Sequence, residues 1–340
     1  MTVNKVNLNG EELINLTADT VSEDTLLKSA TAHDASGKQI TGKFVPYNPN
    51  LLDNPDFAIN QRGQTEYDLT DIAYGYTVDR WSVGWAKGFT KKLTVSDDGV
   101  TLSSSGGEAY LYQRLENPKD FYNKPFTFSL SIESISGSAL ISAVGNSNVN
   151  GTVSLAPLTV TEPGVVSITF APDEIFAALR VQLRISNGGT VKTNRAKLEP
   201  GEIQTLARQD DEGNWIIIDP PTNPALELEK CQRCFIPPQF VTTAGYAATA
   251  NALYFMLPLP TSMRIRPSLL ENSVVRLHKV SDNSILVDNL LNNEEYTLYV
   301  AATNNTKQVI LGVNKVAHGL NPQDYYLSFI GTTGGFSAEL

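Results

Sequence analysis

Residues 50–84 read NLLDNPDFAINQRGQTEYDLTDIAYGYTVDRWSVG, and this stretch decides which fold the chain adopts. Turn signals stand at Asn54-Pro55 and Arg62-Gly63, because proline fixes φ and glycine tolerates a positive φ. The stretch closes on Asp79-Arg80-Trp81, directly after an aromatic run. A charge pair beside a large ring at this place predicts the entrance of a β-domain, with Trp81 packed in its core.

The chain that follows alternates between apolar and polar residues up to about residue 207. A period of two is the pattern of half-buried strands, and Asp97-Asp98-Gly99 adds a hairpin signal. In segment 179–185 both arginines fall on one face and the aliphatic residues on the other. Roughly eight to ten turn-bounded segments of this kind predict an antiparallel sandwich of the jelly-roll type.

The first 45 residues predict a small mixed unit. Asn9-Gly10 predicts a turn between two short strands, and Ser22 predicts the cap of a short helix over 23–29. A unit of this size cannot hold much core, so we expect it to pack against copies or neighbours. Pro46 and Pro49 make the chain that follows a stiff linker.

These patterns divide the chain into four segments. They are an N-terminal unit (1–45), a jelly roll (50–207), a linker with a short helix (208–236) and a C-terminal β-sandwich (237–340). The predicted fold class is therefore all-β, with antiparallel jelly-roll sandwiches and a small mixed N-terminal unit.

Composition argues against several classes of protein. The net charge is −10 and no dense Lys/Arg run is present, so nucleic acid is not an expected partner. No apolar run approaches the ~18 residues of a transmembrane helix, and the N-terminus lacks the apolar core of a signal peptide. We therefore expect a protein that stays soluble in the cytoplasm where it is made, or leaves it by cell lysis.

The sequence contains only part of the motif that a metal site or a redox site requires. Cys231 and Cys234 form a C-x-x-C, but a structural zinc site needs four ligands, and His33, His278 and His318 lie far apart in sequence. We predict that the two cysteines are buried small hydrophobes at a short helix. No metal and no cofactor are expected.

Catalytic motifs such as G-x-S-x-G, H-E-x-x-H or a P-loop do not occur. Glycoside hydrolysis needs two carboxylates facing one cleft. The adjacent acidic pairs are instead predicted to lie in solvated turns, at 97–98, 210–211 and 294–295. We therefore predict no catalytic residues.

Residues 50–84 resemble the opening of bacteriophage tail fibre and minor tail proteins, which have an N-P-x-F turn followed by Q-R-G and D-R-W. Cys234 stands where this family commonly has an aromatic residue, and segment 207–221 departs from its usual short connection. Further stretches that resemble the family are 19–43, 196–205, 223–235, 253–267 and 336–340.

The resemblance implies a non-enzymatic virion protein, a homotrimeric tail fibre that binds a receptor. Residues 1–45 would dock on other virion proteins, the jelly roll would resemble a carbohydrate-binding module, and residues 237–340 would form the distal tip. The protein would be assembled in the host cytoplasm and released by lysis. Its expected partner is host cell-surface polysaccharide, bound through many weak sites at once.

Aromatic side chains are the candidate contacts for such a ligand, because their ring faces stack on the apolar C–H faces of sugars. Tyr110 and Tyr112 share one strand face. Core filling is the alternative role for each candidate. The candidate carbohydrate-binding residues are Trp85, Tyr110, Tyr112, Tyr246 and Tyr254.

Two alternative functions remain open at this point. One is a purely structural virion component, such as a head fibre, collar or baseplate decoration, which would bind no host glycan. The other is a glycan-degrading enzyme, which would bring paired carboxylates or a serine–histidine contact together in one cleft.

Overall fold

The computed structural model describes residues 3–23, 25–44, 48–70, 74–85, 89–237, 243–249, 252–265, 267–271, 273–300, 308–314, 325–330 and 336–338. By its internal contacts the chain forms two units. The first comprises Met1–Pro49 with Ile203–Asp219, and the second comprises Asn50–Glu202 with Pro220–Leu340. The bounds of the four predicted segments stay predictions. The all-β, antiparallel fold class is confirmed.

The first unit is built from short hairpins. The turn between its first two strands has a positive φ at Asn9 (52°) and at Gly10 (92°), as the Asn-Gly pair predicted. Its strands are β1 (Lys5–Leu8), β2 (Glu11–Asn15), β3 (Thr31–His33) and β4 (Gln39–Thr41). β1 pairs with β2, and β3 pairs with β4.

The prediction of a helix over 23–29 is wrong. Leu27 forms a parallel bridge with Phe44, and Ser22 closes only a single turn, whose amides donate to its carbonyl. The close approach of Gly42 accounts for the difference. A Cβ at Gly42 would lie 2.1 Å from the carbonyl oxygen of Leu27, so only glycine lets the two backbones come this near.

The second unit opens with ten strands that form one continuous antiparallel sheet. A short 3₁₀ helix, Pro118–Phe121, follows the sixth of them. The strands are β5 (Glu66–Asp68), β6 (Tyr74–Tyr76), β7 (Ser82–Trp85), β8 (Lys91–Ser96), β9 (Gly99–Ser104), β10 (Ala109–Arg114), β11 (Phe126–Ser147), β12 (Gly151–Val160), β13 (Gly164–Phe170) and β14 (Ala178–Pro200).

Two long strands, β11 (22 residues) and β14 (23 residues), join the two halves of this sheet. The first part of β11 and the last part of β14 combine with β13, β9, β8 and β5. The remaining parts combine with β12, β10, β7 and β6. One apolar cluster contains residues from both halves, so the sheet folds over on itself around a shared core.

Glycines mark the place where the long strands turn from one half into the other. Gly137 in β11 and Gly189 in β14 are paired with each other and both have a positive φ, 87° and 125°. A Cβ at Gly189 would lie 2.3 Å from the carbonyl oxygen of Ser136. The bend therefore depends on the absence of a side chain at this position.

Trp81 and Asn54 connect the opening stretch, residues 50–84, to the core of the sandwich. Trp81 is 1% exposed, its ring lies 4.8 Å from that of Phe57, and its indole Nε1 donates to the carbonyl oxygen of Asn54 at 2.9 Å. Asn54 is fully buried and its Nδ2 donates to the carbonyl oxygens of Ile59 and Asp79. The prediction that Trp81 lies in the core is confirmed.

The segment predicted as a linker contains the predicted helix and also a hairpin. The hairpin consists of β15 (Ala207–Gln209) and β16 (Trp215–Ile217) and belongs to the first unit. The helix α1 (Pro224–Gln232) is capped by the side chain of Asn223. Cys231 and Cys234 form no disulfide and are buried, as predicted, and burial raises the pKa of the Cys231 thiol far above its usual range.

The chain from residue 235 onward forms a second apolar cluster inside the second unit. A seven-stranded sheet has the order β22-β21-β25-β18-β19-β24-β23, and β17, β26 and β20 form a smaller sheet. A short 3₁₀ helix lies at Leu290–Asn292. The strands are β17 (Phe235–Ile236), β18 (Thr243–Thr249), β19 (Ala252–Pro258), β20 (Ser268–Leu269), β21 (Val274–Lys279), β22 (Ile285–Val287), β23 (Thr297–Val300), β24 (Gln308–Asn314), β25 (Tyr325–Ile330) and β26 (Phe336–Ser337).

Candidate functional site

A row of aromatic and cationic residues crosses one half of the jelly-roll sheet, on the side away from the core. Tyr74 in β6 lies opposite Gly84 in β7, Gly84 lies opposite Tyr110 in β10, and Tyr110 lies opposite Arg184 in β14. Residues directly opposite one another in antiparallel strands project to the same side. Because Gly84 has no side chain, it leaves a gap between the two tyrosines, whose backbones are about 10 Å apart, twice the spacing of strands.

A second row runs parallel to the first and forms a polar floor. Its members are Tyr76, Ser82, Tyr112 and Gln182, each opposite the next, with Ser142 beyond them in β11. Although they face away from the apolar core, four of these residues are nearly inaccessible: Tyr112 is 6% exposed, Ser82 and Gln182 4%, and Ser142 0%. The second row, a polar floor, is therefore more buried than the first row, the rim. We call these two rows, with Arg180, the tyrosine–arginine face.

Hydrogen bonds and ring contacts fix the side chains of this face. The guanidinium of Arg180 lies 4.9 Å from the centroid of the Tyr112 ring, and its Nε donates to Oε1 of Gln182 at 3.2 Å. Gln182 in turn donates from Nε2 to Oγ of Ser142 at 3.1 Å. The arginine is therefore held in one plane before any ligand arrives.

Glu108, just before β10, links the two members of the first row. Its Oε1 accepts a hydrogen bond from Arg184 at 3.2 Å, and its Oε2 accepts one from the hydroxyl of Tyr110. Burial raises the pKa of Tyr110, and the bond to Glu108 acts in the same direction. The Nε of Arg184 is buried and has no hydrogen-bond partner among the described residues.

The sequence-predicted candidates do not all meet at this face. Tyr110 and Tyr112 lie on it, two residues apart on β10. Trp85 belongs to β7 and its backbone lies opposite Ala109, but its side chain is outside the described part of the chain. All three assignments stay predictions.

The other two candidates lie in the C-terminal sheet. Tyr246 in β18 is paired with Tyr254 in β19, and the side chain of Tyr246 is outside the described part of the chain. The Tyr254 ring meets that of Tyr299 edge to face at 6.3 Å, and their hydroxyls are 3.1 Å apart. These two assignments also stay predictions.

Tyr74, Tyr76, Arg180 and Arg184 were not among the candidates, although the structure brings them beside Tyr110 and Tyr112. The alternation of Tyr74-Gly75-Tyr76 places both tyrosines on one side of a strand and is visible in the sequence. The strand that lies next to it in the sheet cannot be identified from the sequence. Sequence alone therefore shows the shared face of Tyr74 and Tyr76 but not its continuation onto β10 and β14.

The acidic pairs lie in turns or bends, as predicted, at 97–98, 210–211 and 294–295. Within the described residues, no group of three or more His, Cys, Asp or Glu side chains is placed to hold a metal ion. His318 lies outside those residues, so the serine–histidine hypothesis is untested at that position. In the part of the chain that the structure describes, no helix is both long and apolar enough to cross a membrane.

Comparison with known proteins gives structural likeness only. No protein-family model matches the chain, and no curated protein matches it. Among solved structures, it is similar to the C-terminal family 22 carbohydrate-binding module of Clostridium thermocellum (13% identity, 39% of this chain and 97% of the module, TM-score 0.30). It is also similar to a xylan-binding module of family 15 (14% identity, 42% and 100%, TM-score 0.29).

A third similar structure is the enzymatically active domain of the bacteriophage CBA120 tailspike protein 4. The identity is 11% and the TM-score 0.30, and the match covers 48% of this chain but only 23% of that domain. The TM-scores of all three structures are below 0.5. Any inference about function therefore rests on the tyrosine–arginine face and not on these likenesses.

Proposed function

We propose that this protein is a phage virion component, a tail fibre protein that attaches the particle to host cell-surface polysaccharide through the tyrosine–arginine face. The observation that carries the proposal is the placement of tyrosine rings around a side-chain-free gap, next to a polar floor and two arginines. Rings that stack on sugar, with polar groups that orient it, are the combination expected of a small-molecule site on a rigid sheet.

The gap over Gly84 supports stacking of a sugar ring. Tyr74 is 74% exposed, and Tyr110 across the gap is half-buried. A ring that is held by its strand and exposed on one side loses little conformational freedom when a ligand covers it. We infer that a pyranose lies between these two tyrosines.

The floor supports the orientation of Arg180. Gln182 is 4% exposed and Ser142 is 0% exposed, so these two side chains are not themselves open to a sugar. Their bonds to each other and to Nε of Arg180 instead hold the guanidinium in one orientation. A guanidinium held in this way discriminates between glycans, because a ligand without a matching acceptor leaves its donors unpaired.

The virion location, the homotrimer and the docking of residues 1–45 on other virion proteins rest on the resemblance of the sequence to tail fibre proteins. The exposure of apolar side chains in this segment supports docking, because Leu8 is 58% exposed, Leu13 55% and Ile14 50%. An isolated two-stranded hairpin is marginal in water, and a covering partner would bury these side chains. Attachment would then be multivalent, with trimer and particle copies multiplying a weak single site.

We propose a binding role and no catalytic step. A tail fibre that also cut its receptor would release a smaller glycan fragment, which is measurable. Incubation of the protein with its tightest glycan, followed by chromatography of the sugar, should return the glycan unchanged. The appearance of shorter products would replace this proposal with the glycan-degrading alternative.

The binding proposal is tested by comparing two exposed tyrosines. Tyr74→Ala removes a rim ring of the face, whereas Tyr122→Ala removes a ring that is 41% exposed in the same unit but away from the face. Binding to an array of bacterial surface glycans, and then titration calorimetry with the best oligosaccharide, should show a loss of about 5- to 30-fold for Tyr74→Ala. Tyr122→Ala should bind like the unaltered protein.

Equal affinity of both variants would contradict the proposal that this face binds glycan. If the unaltered protein binds no glycan on the array and no susceptible host cell, the structural virion component becomes the better hypothesis. Thermal unfolding of both variants is the control, because neither exposed ring should contribute more than about 0.5 kcal/mol to stability.

A further inference from the structure

The strands that carry the tyrosine–arginine face differ in charge from the chain as a whole. The whole chain carries a net charge of −10. The strand segments that build this half of the sheet contain three arginines and no lysine, aspartate or glutamate. These segments are 74–76, 82–85, 109–114, 139–147, 151–160 and 178–185.

Two of these arginines face each other. Arg114 in β10 lies directly opposite Arg180 in β14, and like charges in this position destabilise a sheet. Burial is the main cause that lowers the pKa of Arg180, and the positive charge of Arg114 adds to it. Among the described residues neither arginine forms an ion pair with a carboxylate. A like-charged pair without a counter-ion is an arrangement that folding alone does not favour.

The orientation of Arg180 adds a second observation. Its Nε is used by Gln182 and its plane is fixed against the Tyr112 ring, so the two terminal nitrogens remain for another partner. A planar guanidinium that offers two parallel N–H groups matches a carboxylate, and bonds of this kind are stronger than those between neutral groups. The Nε of Arg184, on the same strand, is likewise buried and without a partner among the described residues.

We infer that the tyrosine–arginine face takes acidic glycans, and that Arg180, with Arg114 beside it, binds a sugar carboxylate while the tyrosines stack on the adjoining rings. This inference rests on the proposed function and adds the class of ligand to it. Arg180 and Arg184 are four residues apart on one strand, about 13 Å. Arg184 already pairs with Glu108, so Arg180 with Arg114 is the pair that remains for a sugar carboxylate.

The test uses three acidic oligosaccharides and their neutral counterparts. Oligogalacturonate, oligomannuronate and a sialic acid oligomer are each titrated in native form and after reduction of their carboxylates to alcohols. At least one native form should bind about tenfold or more tightly than its reduced form, and its affinity should fall as salt is raised. Each pair has the same sugar backbone, so only the carboxylate differs.

Variants connect this preference to the arginine pair. Arg180→Gln should remove the preference, so that the native and reduced forms bind within about twofold of each other, and Arg180→Lys should keep part of the preference. Arg276→Gln is the matched control, since Arg276 pairs with the exposed Asp288 in the C-terminal sheet. It should keep the full preference, and circular dichroism should show all three variants folded.

The outcomes separate this inference from the proposed function. Equal binding of native and reduced forms, with loss in Tyr74→Ala, overturns the acidic ligand and keeps the glycan-binding face. An acidic preference that survives Arg180→Gln overturns the assignment to this arginine. If no form of the three oligosaccharides binds, the acidic ligand is overturned, and binding of neutral glycans on the array decides the proposed function separately.

Discussion

Two tyrosine pairs in the second unit have the same chemistry and different surroundings. Tyr110 and Tyr112 lie on β10 next to arginines, a glutamine and a side-chain-free glycine. Tyr254 and Tyr299 lie in the C-terminal sheet, where their rings meet edge to face and their hydroxyls are bonded to each other. Tyr112 of the first pair lies against the guanidinium of Arg180, which forms no ion pair with a carboxylate among the described residues, whereas the two members of the second pair contact each other.

The difference teaches that an aromatic residue is a binding candidate only through its neighbours. A tyrosine whose hydroxyl is bonded to another tyrosine stabilises the fold, because its donor is no longer offered to a ligand. Tyr112 instead lies against Arg180, whose charge has no carboxylate partner among the described residues. We therefore expect binding and stability to respond in opposite ways when the two pairs are altered.

The largest effect is expected from the core of the jelly roll, which supports the first pair. Trp81→Ala removes a ring that is 1% exposed, together with its bond to Asn54, and should lower the free energy of unfolding by about 3–5 kcal/mol. Urea unfolding followed by circular dichroism measures it. The control is Trp215→Ala, in which a 40% exposed ring is removed and a change within about 0.5 kcal/mol is expected. Equal effects would mean that Trp81 does not anchor the sandwich.

Breaking the C-terminal pair should cost stability and leave binding unchanged. Tyr254→Phe removes the hydroxyl that accepts the bond from Tyr299, so the free energy of unfolding should fall by about 0.5–1.5 kcal/mol. Glycan affinity, measured by titration calorimetry, should stay within twofold, about 0.4 kcal/mol. A loss of affinity comparable to that of Tyr74→Ala would place the binding site in the C-terminal sheet.

Removing one arginine of the pair Arg114–Arg180 should instead raise stability and lower the affinity for glycan. Arg114→Gln removes a charge that lies opposite Arg180, so the free energy of unfolding should rise by about 0.2–1 kcal/mol while affinity for an acidic glycan falls. Thermal unfolding and calorimetry on the same sample report both quantities. A decrease in stability would show that Arg114 has a structural partner that the described contacts do not include.

The smallest effect is expected from alkaline pH. Burial raises the pKa of Tyr299 to about 12, and the bond to Tyr254 acts in the same direction. Because an unfolded tyrosine ionises near pH 10, the folded state holds its proton more tightly, and stability should fall as pH rises from about 10 to about 12. In Tyr254→Phe, ultraviolet titration of tyrosinate should show Tyr299 ionising at lower pH. An unchanged titration would contradict the contribution of the hydroxyl pair.

Local features of this fold could be predicted from the sequence because their causes are local. The Asn9-Gly10 turn, the alternation of 179–185 and the buried Trp81 each follow from a few adjacent residues. The helix over 23–29 could not be judged in this way, because the bridge between Leu27 and Phe44 depends on a distant segment. The capping residue Ser22 favours a helix locally, but the close approach of the Gly42 backbone to Leu27 favours the bridge instead.

The candidate site shows the same limit. Tyr110 and Tyr112 could be selected because they share one strand. Tyr74 and Arg184 come next to them only through strand pairing between segments far apart in the chain. Pairing order in a jelly roll is set by how the whole core closes, which no short motif encodes.

The most direct test of the glycan-binding face is an NMR titration of the full chain with the oligosaccharide that binds best. The side-chain Nε–H signals of Arg180 and Arg184 and the amide signals of β10 should shift most, and those of Tyr254 and its neighbours in β19 should not move. That result would place the ligand on the tyrosine–arginine face. Shifts confined to the C-terminal sheet or to the first unit would contradict the account.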